Sequence, residues 1–390
     1  MRTIGVVTTA RSDYGIQLPV LRAIAADPEL HLHLIVGGMH LSPEFGNTVD
    51  QIESDGFTVA DRVEMLLASD TPKAIAMSMG IGTTAYAESF SRKRPDILVV
   101  LGDRFEMHAA ALAALPFAIP VAHIHGGEVT VGAIDDALRH SMTKLSHLHF
   151  VATERYRERV IQLGEEPWRV VTSGNPSLDN VSSLPMLSRA QLETRFGVSL
   201  EPAPLLVTFH PVTLEFEEAG RQADALLAAL EACGLPVVFT MPNADTGGRA
   251  VAERIRAYAA RRENAVILDN LGTQAYFSMM GVARAMVGNS SSGLLEAPTF
   301  GLPVVNVGRR QEGRVRALNI IDTAETSDAI AAGIRKAIDP AFRASLAGMK
   351  NPYGDGGAAG RIVDVLRAVP LGPDLVIKRF FDMPLEAAAR

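Results

Sequence analysis

The stretch ILVVLGDRFEMHAAALAALPFAIPVAHIH (97–125) carries the fold in a short compass. ILVVL is an unbroken apolar run closed by Gly102-Asp103, which suits a strand covered on both faces. RFEMHAAALAAL (104–115) reads as a helix and IPVAHIH (119–125) as a second strand. Strand, helix and strand at this spacing predict a parallel sheet with helices on its faces.

The same alternation runs outward from there. TIGVVTT (3–9), LHLHLIV (30–36) and LHFVAT (148–153) are further strand candidates, with helical patterns at 16–26 and 71–92. The pattern then restarts with strands at 204–210, 235–242, 265–270, 283–290 and 302–308, separated by helical stretches. Turn-forming residues in NPSLDNVSSLPMLS mark the join within 175–203. The expectation is an α/β protein of two doubly wound, Rossmann-like units facing across a cleft: residues 1–178, residues 179–369, and a tail 370–390 forming a helix that returns to the first unit. In such sheets ligands lie beyond the carboxyl ends of the strands.

Composition narrows the function classes. A net charge of −7 argues against a general nucleic-acid binder. The single cysteine, Cys233, excludes a disulfide framework within the chain and a cysteine-based zinc site. The opening run is too short for a signal peptide or membrane span, which sets the expectation of a cytoplasmic protein without membrane contact.

Polar clusters follow the predicted strands: TTARSDYG (8–15), GDRFEMH (102–108), HIHGGE (123–128), FHPVT (209–213), PNADTGG (242–248) and GNSSSGLLE (288–296). In the last, Ser290, Ser291 and Ser292 stand between glycines before a helix, where hydroxyls and unpaired N–H groups suit an anion. No G-x-G-x-x-G follows the first strand and no Walker loop is present, so dinucleotide and P-loop readings lose their main support. VGRRQEGRVRA (307–317) supplies guanidinium forks suited to phosphate; at least one of Arg310 and Arg314 is expected to face a ligand. Arg11 stands between ligand contact and turn decoration. Asp103 ends a strand, Glu128 follows Gly126-Gly127, and Asp135 opens a helix, with Asp135–Arg139 and Asp136–His140 as i,i+4 pairs. Singly, each acid reads as a cap or a surface pair. Together, opposite a phosphate-like site, they read as chemistry. His123 and His125, two apart on a strand, would share a face and open a minority metal reading.

At this point the motifs resemble those of the hydrolysing UDP-N-acetylglucosamine 2-epimerases of the sialic-acid pathway, whose relatives act on UDP-N,N'-diacetylbacillosamine in legionaminic-acid synthesis. TTARSDYG, GGMHLSPEFGNT, GDRFEMHAAA, HIHGGE, DDALRHSMTKLSHLHF, HPVT, NADTGG, GNSSSGLLEAP and GRRQEGRVRA carry the resemblance in order over roughly 3–365. Non-hydrolysing relatives look like H-x-E-A-G-L-R where this chain has HIHGGE. The resemblance implies a glycosyltransferase-B fold, a UDP-sugar substrate and no cofactor or metal. It implies Asp103, Glu128 and Asp135 as the chemical acids, with His125 standing where animal-type members carry Glu. It places Arg11, His210, Asn243, Asp245, Ser291, Ser292, Glu296 and Arg314 around the nucleotide sugar; Arg104, Ser290 and Arg310 join them as candidates from the clusters themselves. A homo-oligomer, dimer or tetramer, is also expected. Three rivals stay open: a glycosyltransferase of the same fold, a non-catalytic nucleotide-sugar binder, and a metal-dependent pyrophosphate hydrolase.

Overall fold

The computed structural model of the chain describes residues 1–242, 245–268 and 271–383. Two parallel sheets organise it. The first holds β1 (Arg2–Thr8), β2 (Leu30–Gly37), β3 (Val59–Val63), β4 (Ile97–Leu101), β5 (Val121–Ile124), β6 (Leu148–Val151) and β7 (Val170–Thr172), in the order β3-β2-β1-β4-β5-β6-β7. The second holds β8 (Leu205–Thr208), β9 (Val237–Thr240), β10 (Ala265–Ile267), β11 (Ala285–Gly288), β12 (Val304–Val307) and β13 (Ile320–Thr323), in the order β10-β9-β8-β11-β12-β13. Both orders reverse direction beside their first strand, as in doubly wound folds.

The central strands are the ones the sequence marks most clearly. β4 is buried along its whole length because helices cover both faces of the sheet. Its register sets Val100 opposite His123 on β5, and Ile4 of β1 lies opposite Ile97 on the other side. The strands missing from the sequence prediction are β3 (VADRV), β7 (VVT) and β13 (IIDT), all at sheet edges. An edge strand can present charge to water and needs no continuous apolar run, so its sequence signal is weak.

After Pro370 a helical turn, Pro373–Val376, buries Leu375 in the first core, but the chain returns there sooner than the sequence suggests. The return to the first half was expected after Pro370, but helix Ala358–Ala368 already belongs there: Ala359, Ile362, Val363 and Leu366 are buried in the first core with Leu18, Leu21 and Ile24. Its apolar stripe needs a partner, and helix Arg11–Ala26 supplies one. The chain therefore crosses between halves twice. The crossings touch, with Asn175 N–H donating to Tyr353 O at 2.9 Å and Asp179 accepting from the N–H groups of Ala358 and Ala359 at 3.1 and 2.8 Å. Among the described residues, no helix is long and apolar enough to cross a membrane.

Candidate active site

The carboxyl ends of the two sheets face a shared cleft of about 450 Å³. Arg11, Asp103, Arg104, His125, Glu128 and Asp135 line it from the first half. His210, Ser290, Ser291, Ser292, Glu296, Arg310 and Arg314 line it from the second. Asp245 adjoins it through an ion pair with Arg104 at 3.5 Å. Asn243 lies outside the described residues.

The loop after β5 begins with a turn rather than more strand. β5 stops at Ile124, and His125 takes φ +66°, a left-handed conformation unusual for a side-chain-bearing residue. The two histidines therefore do not share a strand face, as their spacing predicted. His123 is buried, with Nε2 2.8 Å from Gly102 O and Nδ1 3.3 Å from Thr143 Oγ1. Burial pushes its pKa down to about 3. His125 instead lies 3.5 Å from Glu128 through Nδ1. Burial holds its pKa below the usual value, opposed by the Glu128 charge. Among the described residues, no three His, Cys, Asp or Glu side chains cluster to hold a metal. His147 and His149 serve the strand ends: His147 Nδ1 accepts from Val121 N–H at 3.0 Å, and His149 Nε2 lies 3.0 Å from Glu165.

Asp103 stands at the end of β4, and it is not a helix cap; Arg104 occupies that position. Arg139 pairs with Asp103 instead of with Asp135, correcting the i,i+4 expectation. The reason is geometric: Arg139 is buried beneath the loop, where it also donates to His125 O at 2.8 Å. Asp136 does approach His140, at 3.7 Å. Burial alone would raise Asp103, but the guanidiniums of Arg139, Arg314 and Arg310 hold it below its ordinary value. Asp135 has the opposite fate. Burial, with the nearby charges of Asp103 and Asp245, raises it to about 7. The cleft thus holds two carboxyl groups pushed in opposite directions, which is how one site can hold a proton and lack one at the same pH.

In the second half, Gly288 ends β11 at φ +136°, and a Cβ there would meet Thr208 O at 1.9 Å. Only glycine permits that approach. It brings Asn289 against His210, whose backbone N–H donates to Asn289 Oδ1 at 2.7 Å and whose carbonyl accepts from Asn289 Nδ2 at 2.8 Å. Gln311 and Arg310 donate to Asn289 O, at 2.8 and 3.3 Å. The loops after β8, β11 and β12 are thereby locked together. The helix expected after the serines is a single turn, Ser292–Leu295. Tyr276 lines the cleft partly exposed, and desolvation raises its hydroxyl to about 12, opposed by the neighbouring hydroxyls of Ser292, Thr208 and Ser290. Glu296 accepts from Ser177 Oγ at 2.5 Å, while its Oε2 is buried without a protein partner. Arg314 joins the halves: Nη1 lies 3.1 Å from Glu128, and Nε donates to Val129 O at 2.7 Å.

Three residues look different in three dimensions. Arg104 lines the cleft, but its fork is held by Glu106 at 2.8 Å and by Asp245. Asp13, in the TTARSDYG cluster but not singled out from it, also lines the cleft and accepts from Thr9 Oγ1 at 2.6 Å. Tyr276 was missed as well. It lies mid-helix, where an aromatic residue normally signals core.

Two opposed parallel sheets with a polar cleft between their carboxyl ends define a glycosyltransferase-B-like architecture. The sequence model of the family described as UDP-N-acetylglucosamine 2-epimerase matches residues 22–367, and the chain belongs to that family. It is 39% identical to the GDP/UDP-N,N'-diacetylbacillosamine 2-epimerase (hydrolyzing) of Campylobacter jejuni, over 83% of this chain and 84% of that one. It is 36% identical to the UDP-N,N'-diacetylbacillosamine 2-epimerase (hydrolyzing) of Legionella pneumophila, over 97% and 99%, and 35% identical to polysialic acid biosynthesis protein P7 of Escherichia coli, over 98% of each. The fold matches the UDP-GlcNAc 2-epimerase of Neisseria meningitidis bound to UDP-GlcNAc, with TM-score 0.80 at 19% identity over 94% of this chain and 99% of that one.

Proposed function

We propose that this protein is a hydrolysing nucleotide-sugar 2-epimerase that converts a UDP-linked 2-acetamido sugar and water into UDP and the free sugar inverted at C2. The observation that carries the reading is the convergence of Asp103, Glu128 and Asp135 from one half with the serine loop, Arg310 and Arg314 of the other on a single cleft. The names of the Campylobacter and Legionella relatives support the hydrolysing class. They favour UDP-N,N'-diacetylbacillosamine or UDP-N-acetylglucosamine as substrate, and with the polysialic acid protein they favour a place in nonulosonic (sialic or legionaminic) acid synthesis.

Two steps balance the reaction. Removal of the C2 proton and loss of UDP from C1 leave a 2-acetamidoglycal by anti elimination. Water then adds, its oxygen to C1 and a proton to C2 on the other face. The C2–H is weakly acidic, so C–O cleavage runs ahead and C1 becomes cation-like; carboxylates beside the ring stabilise that charge. Asp103 and Glu128 are assigned the proton transfers, and Asp135 the stabilisation of charge. His125, beside Glu128, orients it. The serines, His210, Arg11, Arg310 and Arg314 hold the nucleotide and its departing diphosphate, and Glu296 offers its unpartnered oxygen to a ribose hydroxyl.

The test is incubation of each UDP-sugar separately in D2O without any acceptor sugar, followed by NMR. The expected products are UDP and a free C2-inverted sugar carrying one deuterium at C2, unaffected by EDTA. UMP with a sugar phosphate, a strict need for an acceptor, or binding without turnover would each overturn the reading.

A further inference from the structure

The loop between Glu128 and helix Ile134–Leu145 contains a residue that does not itself line the cleft and yet meets three of the charged groups that do. Thr130 is 1% exposed. Its Oγ1 donates to Asp103 Oδ2 at 3.0 Å and accepts from Arg139 Nη2 and Arg314 Nη2, each at 3.2 Å. Its backbone N–H donates to Asp136 Oδ1 at 2.8 Å, which fixes the loop to the helix start. One donor and two lone pairs are all a hydroxyl has, and all are used.

The consequence falls on Asp103. Arg139 also donates to Oδ2, so the two bonds from this cluster converge on one carboxylate oxygen. We propose that Thr130 is a positioning residue: its hydroxyl holds Asp103 with Oδ2 tied down and Oδ1 presented to the cleft for proton exchange, and through Arg314 it makes that orientation depend on the second half being in place. Without the hydroxyl, a buried methyl would face two guanidiniums and a carboxylate, and Asp103 would be held at Oδ2 by Arg139 alone. The charged groups acting on Asp103 are Arg139, Arg314 and Arg310, and the Asp103 charge in turn raises Asp135 on helix Ile134–Leu145. None of them can replace a neutral donor at this point.

The inference rests on the reading of Asp103 as a proton-transfer group, and the experiment separates the two. Thr130→Val and Thr130→Ser are compared with the unaltered protein in steady-state turnover across pH, and Asp103 is titrated by carboxyl ¹³C NMR, assigned with Asp103→Asn. The expected result is that Thr130→Val lowers kcat by about 10- to 100-fold with KM little changed, as for loss of a hydrogen bond to a charged group. The Asp103 midpoint should move up because the anion has lost a donor. Thr130→Ser should restore both. If Thr130→Val does not fold, Thr130→Ala removes the hydroxyl without adding bulk and carries the same expectation. Unchanged kcat and midpoint in the valine variant, or equal damage from serine, would overturn the proposal. If the unaltered protein shows no turnover, the functional reading fails and the NMR arm still decides whether Thr130 governs Asp103.

Discussion

Arg314 of the second half and Glu128 of the first lie 3.1 Å apart, both nearly inaccessible to solvent. Removing one member of a buried pair leaves the other charge uncompensated. Arg314→Ala is therefore expected to lower the free energy of unfolding by up to about 3–5 kcal/mol. Arg314→Lys should keep the charge but lose the simultaneous contacts with Val129 and Thr130. Urea titrations should order the three proteins as arginine, lysine, alanine; an alanine variant as stable as the original would show that the pair contributes nothing.

The two acids assigned to proton transfer make a sharper case. Asp103→Asn and Glu128→Gln preserve shape and remove the proton function, so each should lower kcat by about 10²–10⁴-fold. Calorimetry with UDP should show affinity largely kept. Loss of UDP binding in step with kcat would move these residues from chemistry to ligand holding.

Asp135 sets a pH dependence. Burial, Asp103 and Asp245 raise it to about 7. If its negative charge supports a cation-like C1, the rate should rise with pH through about 7 and level above it. Asp135→Asn should abolish that limb and leave a low, flat profile. An unaltered limb in the variant would assign the titration to another group.

Asp13 makes a stability prediction of definite sign. Burial raises its pKa from 3.8 to about 7, opposed by the Arg104 charge and the bond from Thr9. A folded-state pKa above the unfolded value means that its contribution is fully present below pH 3.8 and is lost as pH rises through about 7. Asp13→Asn mimics the protonated form. It should be more stable than the original at pH 8 and show little advantage at pH 4, as measured by denaturant unfolding. A constant difference at both pH values would remove Asp13 as the cause.

The parts of this molecule readable from sequence are those where one physical demand acts alone. β4 and β11 must be apolar on both faces, and LVV and MVG say so. The glycines at 126, 127 and 288 mark close turns at strand ends, and the polar clusters beside them do line the cleft. Where demands compete, the signal fades. His123 and His125 have the spacing of a shared face, but a left-handed residue at 125 breaks it, and one sequence does not encode that dihedral visibly. Arg139 has an acid at the preferred helical spacing and ignores it for one brought in from β4. Thr130 and Asp13 combine local bonds with partners far away in the chain, Arg314 for the first and the Arg104 charge for the second, and no local pattern announces those.

The double crossing at Asn175 and Tyr353 gives the molecule a joint along one side. It adjoins the β6–β7 edge, where Tyr156 and Tyr353 hydroxyls meet at 2.9 Å and bind the backbone of Val315. At the opposite margin, beyond β2 and β3, the halves meet through the Arg249 guanidinium on Glu44 at 2.9 Å and the Arg249 backbone N–H on Asp70 at 3.2 Å, with the Arg249–Glu44 pair open to water. Such exposed pairs cost about 0–1 kcal/mol to break. Parting the halves at the Glu44 side would also strip the buried Arg314–Glu128 and Arg104–Asp245 pairs of their partners, so the cleft is clasped from within more firmly than at its rim.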